Sequence, residues 1–225
     1  MGSLSALNAF TGEAVWVSGY PRMGLANMEY AASGVLDKMR ERVLKIIARG
    51  PASPVVAEDV VILAPKDAAG VYAFNRTGGR VRWSREIEDA RYILGLCEGN
   101  VLLADDEVRA VDVDTGRVAW KYSLQGERLY GRPGYAGGTL YLPTASSLQI
   151  VDARTGKLCS NHPWDARLGP LGNLVVTSRG ILGVNEEQVV QMAPAGAPRI
   201  ELPLEEARAL AAQGKMEEAS ARYAA

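Results

Sequence analysis

One eleven-residue pattern occurs four times in this chain of 225 residues, and it constrains the fold more than any other feature. Asn or Asp is third in each copy, Thr or Gly is sixth, Gly is seventh, and Trp ends the first three copies. The copies run from Ala6 to Trp16, from Ala73 to Trp83, from Ala110 to Trp120 and from Ile150 to Ser160. Four copies with the same offsets indicate a repeat protein.

Each copy predicts a β-hairpin. Apolar and polar residues alternate before the glycine, as in residues 108–112, and a short run rich in β-branched or aromatic residues follows it, as in residues 118–120. The Asn or Asp can hydrogen-bond its own backbone within the turn. The glycine supplies the positive φ that a tight hairpin loop requires.

The spacing of the copies indicates sheets of four strands. The motif glycines are 67, 37 and 40 residues apart, and the last two spacings are close to a propeller blade of about 40–45 residues. Further strand pairs are predicted at 55–57 with 60–63, 92–97 with 101–104 and 131–135 with 139–142, and a degenerate fifth copy at 174–177, 180–184 and 188–192. We therefore predict an all-β fold of about four to five propeller-like blades, in a closed or incomplete ring.

The pattern Ala-x-Asp-x-x-Thr-Gly-x-x-x-Trp resembles the tryptophan-docking repeat of pyrroloquinoline-quinone-like (PQQ-like) β-propellers. Residues 110–120 match it at every fixed position. The resemblance implies that the Trp of one blade stacks on the peptide around the motif Gly of a neighbouring blade, with the Ala packed nearby. The residues implied to dock are Ala6, Gly12, Trp16, Ala73, Gly79, Trp83, Ala110, Gly116, Trp120 and Gly156. Ser160 departs from the pattern, so we expect a weaker junction there unless Trp164 substitutes.

Two segments predict helices. Leu36, Met39, Val43, Ile46 and Ile47 follow helical spacing, so residues 33–49 are predicted to form an amphipathic helix inserted between the first two copies. This helix either docks on the rim of the propeller or lies on a membrane surface through its basic residues, Lys38, Arg40, Arg42 and Lys45.

The C-terminal segment differs in composition from the repeats. Residues 203–225 are rich in Ala and Glu around Gly214, and they resemble the middle of a tetratricopeptide repeat, which predicts a helical hairpin. We expect a propeller domain at 1–202 and a truncated helical tail at 203–225, so that the chain is part of a longer, bacterial protein.

Charge and hydropathy narrow the possible partners. A net charge of −1 argues against nucleic acid, and the apolar runs are too short to cross a bilayer. The N-terminal residues show no secretory signal. The resemblance implies the periplasm or cell envelope if a longer form carries a signal, and the oligomeric state is left open.

Candidate chemical groups are few, with one His and two Cys in the chain. The acidic run at 105–107 either binds a cation or forms a solvated hairpin tip, and residues 185–187 have the same two interpretations. His162 is either a lone acid–base group or a loop histidine. Cys97 and Cys159 are expected to be free and buried.

These observations favour a non-catalytic scaffold that binds a protein or peptide, with no catalytic, metal or cofactor-binding residue. The alternative is a PQQ-dependent, dehydrogenase-like redox domain or a degenerate fragment of one. The quinone-dependent dehydrogenases that resemble this family carry an adjacent Cys pair or a comparable lining over the cofactor, with calcium ligands and a catalytic Asp, in a ring that usually has eight blades. The two cysteines here are far apart, and the chain is too short for eight blades.

Overall fold

A computed structural model describes residues 1–22, 53–68, 70–87, 90–163, 169–186, 188–192, 212–213 and 215. Over these residues the chain forms seventeen β-strands arranged in five antiparallel sheets. The strands are β1 (Gly2–Leu7), β2 (Ala14–Tyr20), β3 (Val55–Ala57), β4 (Val60–Leu63), β5 (Gly70–Asn75), β6 (Val81–Glu86), β7 (Tyr92–Cys97), β8 (Asn100–Ala104), β9 (Glu107–Asp112), β10 (Val118–Ser123), β11 (Gly134–Ala136), β12 (Thr139–Pro143), β13 (Ser147–Asp152), β14 (Leu158–Pro163), β15 (Asn173–Thr177), β16 (Gly180–Val184) and β17 (Val189–Met192).

Consecutive strands are neighbours in every sheet. The first sheet contains β1 and β2, the second β3 to β6, the third β7 to β10, the fourth β11 to β14 and the fifth β15 to β17. The second, third and fourth sheets therefore have the four strands of a propeller blade. The all-β prediction of propeller-like four-stranded blades is confirmed.

Successive sheets pack face to face. The innermost strand of each complete sheet lies beside that of the next, so β3 contacts β7, β7 contacts β11, and β11 contacts β15. Strands β4 and β5 are buried on both faces because a sheet covers each side. This explains why their sequences are continuous apolar runs instead of alternating ones.

Four apolar clusters fill the four junctions between the five sheets. Tyr20 of the first sheet packs with Phe74 of the second, and Trp83 of the second lies in a cluster with Leu103 of the third. The junction of the third and fourth sheets buries eleven residues, which makes it one of the two large cores. The junction of the fourth and fifth sheets is smaller and is centred on Leu174.

The predicted helices fall outside the described residues. This applies to the insertion at 33–49 and, apart from residues 212, 213 and 215, to the C-terminal hairpin. The chain divides into two compact units, Met1–Met192 and Ala193–Ala225. The domain boundary at residue 202 stays a prediction.

The two cysteines differ in their environment. Cys97 is free and buried on β7, as predicted. The prediction that Cys159 is buried is wrong, since it is exposed on β14. Strand β14 is the outermost strand of the fourth sheet, and most of its side chains face solvent because nothing in the described chain flanks it.

Candidate functional site

The repeated turn has the same backbone geometry in all four copies. The amide of the motif glycine donates a hydrogen bond to the carbonyl of the Asn or Asp four residues earlier, at 2.8–2.9 Å. The φ of these glycines lies between 67° and 73°, as the hairpin prediction required. The glycines are Gly12, Gly79, Gly116 and Gly156.

Trp83 joins the second sheet to the third. Its indole lies over Gly116, where a Cβ atom would be 2.7 Å from Trp83 Cδ2. The indole Nε1 donates to the Val113 carbonyl at 2.8 Å. The guanidinium of Arg85 adds hydrogen bonds to the carbonyls of Thr115 and Gly116, so the whole turn is held by the neighbouring sheet.

Trp16 makes the same contact one sheet earlier. A Cβ atom at Gly79 would lie 2.5 Å from Trp16 Cε3, and Nε1 of Trp16 donates to the Arg76 carbonyl at 2.7 Å. The Ser18 hydroxyl donates to the carbonyl of Gly79. The two junctions therefore use the same pair of positions, three residues apart, on the accepting turn.

Trp120 lies over Gly156 at the third junction, with 2.5 Å between Cε3 and a Cβ built on the glycine. Its buried Nε1 has no hydrogen-bond partner. Ser160, which replaces the tryptophan in the fourth copy, lies on β14, and its hydroxyl is 3.0 Å from Nε2 of His162. Trp164 lies outside the described residues.

The first-position alanines and Gly12 complete the predicted set. Ala73 and Ala110 are fully buried in the two large cores, whereas Ala6 is half-buried in the first sheet. A Cβ atom on Gly12 would meet nothing within 4 Å. The structure therefore places an indole on three of the four motif glycines and leaves Gly12 uncovered.

Ion pairs cross the junctions as well. Arg82 of the second sheet pairs with Asp59 of its own sheet and reaches Asp114 of the third sheet at 2.8 Å. The hydrogen bond from Arg82 is the main cause of the lowered pKa of Asp59. Arg154 of the fourth sheet pairs with Glu98 of the third at 3.1 Å, although both side chains are exposed.

The acidic residues have local structural partners. Residues 105–106 form the turn between β8 and β9, and the Glu107 carboxylate accepts a hydrogen bond from Arg109 at 2.8 Å, which lowers the pKa of Glu107. Within the described part of the chain, no group of three or more His, Cys, Asp or Glu side chains is placed to hold a metal ion. His162 is exposed on β14.

A groove that the sequence did not reveal opens between the fourth and fifth sheets, with a cavity volume of about 480 Å³. Its walls are residues 130–131 before β11, residues 169, 170, 172 and 173 leading into β15, and residues 184–186 at the end of β16. Tyr130 is half exposed there. The Asn173 side chain accepts a hydrogen bond from the Arg132 amide at 2.8 Å, and Asn185 donates to the Pro170 carbonyl at 2.7 Å, so both amides fix the walls.

This architecture is that of a PQQ-like β-propeller. Residues 1–170 match the family model described as outer membrane protein assembly factor BamB. The chain therefore belongs to the BamB family. No curated protein compared with the chain matches it.

Solved structures are similar to parts of this chain at low sequence identity. BamB from Moraxella catarrhalis superposes with a TM-score of 0.57 and 21% identity, over 85% of this chain and 52% of that chain. The computationally designed Ika8 protein gives 0.50 and 14%, over 64% and 45% of the two chains. Quinohemoprotein alcohol dehydrogenase ADHIIG from Pseudomonas putida HK5 gives 0.42 and 22%, over 51% and 21%. The chain spans about half the length of the BamB structure that it matches.

No helix among the described residues is both long enough and apolar enough to cross a membrane.

Proposed function

We propose that this protein is a non-catalytic β-propeller scaffold that binds a protein or peptide partner in the bacterial cell envelope. The match of residues 1–170 to the BamB family carries the proposal, because that family is described as an outer membrane protein assembly factor. We expect an assembly factor to contact other proteins, and loops positioned by a rigid scaffold often carry binding residues.

The roles of the repeated residues support a scaffold. We propose that Trp16, Trp83 and Trp120 dock neighbouring sheets, with the motif glycines as acceptors, since their indoles lie on Gly79, Gly116 and Gly156. The repeated polar residues are also engaged in structure. Asp112 and Asp152, for example, each accept hydrogen bonds from the Thr three residues later.

The groove beside Tyr130 is the proposed binding surface. Tyrosine is enriched at protein interfaces because it buries a large rigid ring while its hydroxyl remains available for hydrogen bonding. The groove volume of about 480 Å³ suits a few side chains of an extended segment. Glu186 adds one acidic side chain at the edge.

Site-specific photocrosslinking tests the proposal. A photoreactive amino acid replaces Tyr130 in the chain expressed in the envelope of a bacterial host, and the adduct is identified by mass spectrometry. We expect one discrete adduct with an envelope protein from this position. The matched control replaces Phe10, an aromatic residue that is 99% exposed in the first turn, away from the groove, and should give no adduct with that envelope protein.

A second variant measures the contribution of the same side chain. Tyr130→Ala should weaken binding of the identified partner by about tenfold or more, as truncation of an interface aromatic usually does. Phe10→Ala should leave the affinity unchanged. The absence of an adduct at Tyr130, or equal adducts at both positions, contradicts the proposal.

A further inference from the structure

The two terminal sheets of Met1–Met192 each have one apolar face that the described chain leaves open. In the first sheet, Leu4 and Trp16 face the second sheet, and the opposite face is exposed. We define this open face of the first sheet by Ser3, Ser5, Leu7, Val15 and Val17. Leu7, Val15 and Val17 are each about 60% exposed, at 60%, 61% and 63%.

The fifth sheet has the same arrangement at the other end. Leu174, Ile181 and Met192 pack toward the fourth sheet, and the strand pairing puts the alternate residues on the opposite face. We define this open face of the fifth sheet by Val175, Leu182, Val184 and Val189. Val175 is 52% exposed and Val189 is 67% exposed.

The internal repeats show what kind of surface covers such a face. Aligned by the motif, Ser5 and Leu7 correspond to Tyr72 and Phe74 of the second sheet, which are buried against the first. The motif glycine Gly12 corresponds to Gly79, which is covered by the indole of Trp16. A Cβ atom on Gly12 would instead meet nothing within 4 Å. The open face of the first sheet is thus built to receive another propeller sheet.

We propose that a second copy of this chain covers both open faces. In a two-fold dimer, the fifth sheet of each copy packs on the first sheet of the other, so the two contacts are identical and neither apolar face stays exposed. Each copy has both open faces, so a single kind of chain supplies the two surfaces of the contact. A different protein would need one surface for the first sheet and another for the fifth. This inference does not rest on the proposed function, although Val184 lies both on the open face of the fifth sheet and in the groove beside Tyr130.

Length and charge agree with this occupant. One chain spans 52% of BamB from Moraxella catarrhalis, so two copies supply about the length of one such propeller. The chain carries a net charge of −1, so two copies approach without strong electrostatic repulsion. Exposed valine and leucine on both surfaces then supply the hydrophobic driving force.

The mass of the 225-residue chain in solution tests the dimer. Light scattering after size exclusion should give twice the chain mass of 24.1 kDa. Val17→Glu and Val189→Glu each place a charge in both contacts and should give the single-chain mass. The matched control is Val118→Glu on β10 of the third sheet, where Val118 is 43% exposed outside both open faces, and it should keep the dimer.

Folding of each variant is checked by circular dichroism and a thermal melt. Val17→Ser, which repeats the serines already on that face, is the milder variant and should raise the dimer dissociation constant by about tenfold or more. If the wild-type chain has the mass of one copy in solution, the proposal is wrong, and another segment or another protein covers the open faces. Dimers that survive both glutamate substitutions, or that Val118→Glu dissolves equally, overturn it too.

Discussion

The motif glycine decides how closely two sheets approach at each junction. At Gly116, φ is +67° and the ring of Trp83 occupies the space of a side chain. Any other residue there meets two obstacles, a left-handed backbone and the indole. At Gly12, φ is +73° but the space is open, so only the first obstacle applies.

This difference predicts unequal effects of one substitution. Gly12→Ala should cost about 1–2 kcal/mol of unfolding free energy from left-handed strain, whereas Gly116→Ala should cost that plus about 1–3 kcal/mol of overpacking against Trp83. Urea unfolding of both variants measures the difference. Equal losses would show that the indole contact does not constrain Gly116.

The tryptophans offer a matched pair at the same scale. Trp83 Nε1 donates a hydrogen bond to the Val113 carbonyl, whereas Trp120 Nε1 has no hydrogen-bond partner. Trp83→Phe should therefore cost about 1 kcal/mol more than Trp120→Phe, the usual net value of one hydrogen bond. The denaturant midpoints of the two variants measure this difference in unfolding free energy. A larger loss of stability for Trp120→Phe than for Trp83→Phe would contradict the prediction.

At the scale of the elements, each repeated hairpin is fixed by a side chain in its turn. The Asp112 carboxylate accepts hydrogen bonds from the amide and hydroxyl of Thr115, at 2.8 and 2.6 Å. Asn8 serves the first copy in the same way, accepting from the amides of Phe10 and Thr11. Asn75 instead accepts from Arg82, because Gly78 stands where the others have Thr.

The carboxylate turns predict a pH dependence of stability. Hydrogen bonds from Thr115 are the largest cause of the lowered pKa of Asp112. A lowered folded-state pKa gives stability that is present above the ordinary value of 3.8 and is lost as pH falls through the folded value. Asp112→Asn should cost at most about 1 kcal/mol near neutral pH, since the site is solvent-exposed.

The gap between wild type and Asp112→Asn should close as pH falls below about 4, the ordinary range for aspartate. The reciprocal variant, Asn8→Asp, should lose unfolding free energy in acid in the same way as the wild-type chain does through Asp112. Unfolding free energies over a pH series measure both curves. Curves that stay parallel down to the acid range would contradict the assignment of the pKa shift to the turn.

Much of the element pattern is local and was predictable. The alternation before each glycine and the turn residues place β5–β6, β9–β10 and β13–β14 correctly, and the strands that precede them follow from β-branched runs between turns. These features are set by residues within one hairpin. Cys159 was mispredicted because burial of an outermost strand depends on whether another sheet flanks it.

The candidate site was less predictable because it arises between elements. No local pattern places Tyr130 beside Asn173, since residues 130–131 and 169–173 are brought together only by the packing of two sheets. The missing hydrogen bond of Trp120 Nε1 likewise concerns a contact between two sheets, which the residues of one hairpin do not determine. A cluster of Gly and Pro at 169–172 was the only sequence signal for the groove.

For the whole propeller unit, Met1–Met192, the described sheets follow one another along the chain, and an apolar cluster joins each sheet to the next. Stability in such a serial repeat is approximately a sum of sheet and interface contributions. The same arrangement leaves the groove beside Tyr130 at the junction of the fourth and fifth sheets. We propose that this BamB-family chain acts through that groove as a scaffold, without quinone chemistry.

Titration of the purified chain with pyrroloquinoline quinone and calcium tests this claim most directly. Binding is followed by calorimetry and absorbance, and catalysis by dye reduction in the presence of alcohols. The scaffold account predicts neither stoichiometric binding nor dye reduction. Tight binding of one quinone per chain together with dye reduction would contradict it.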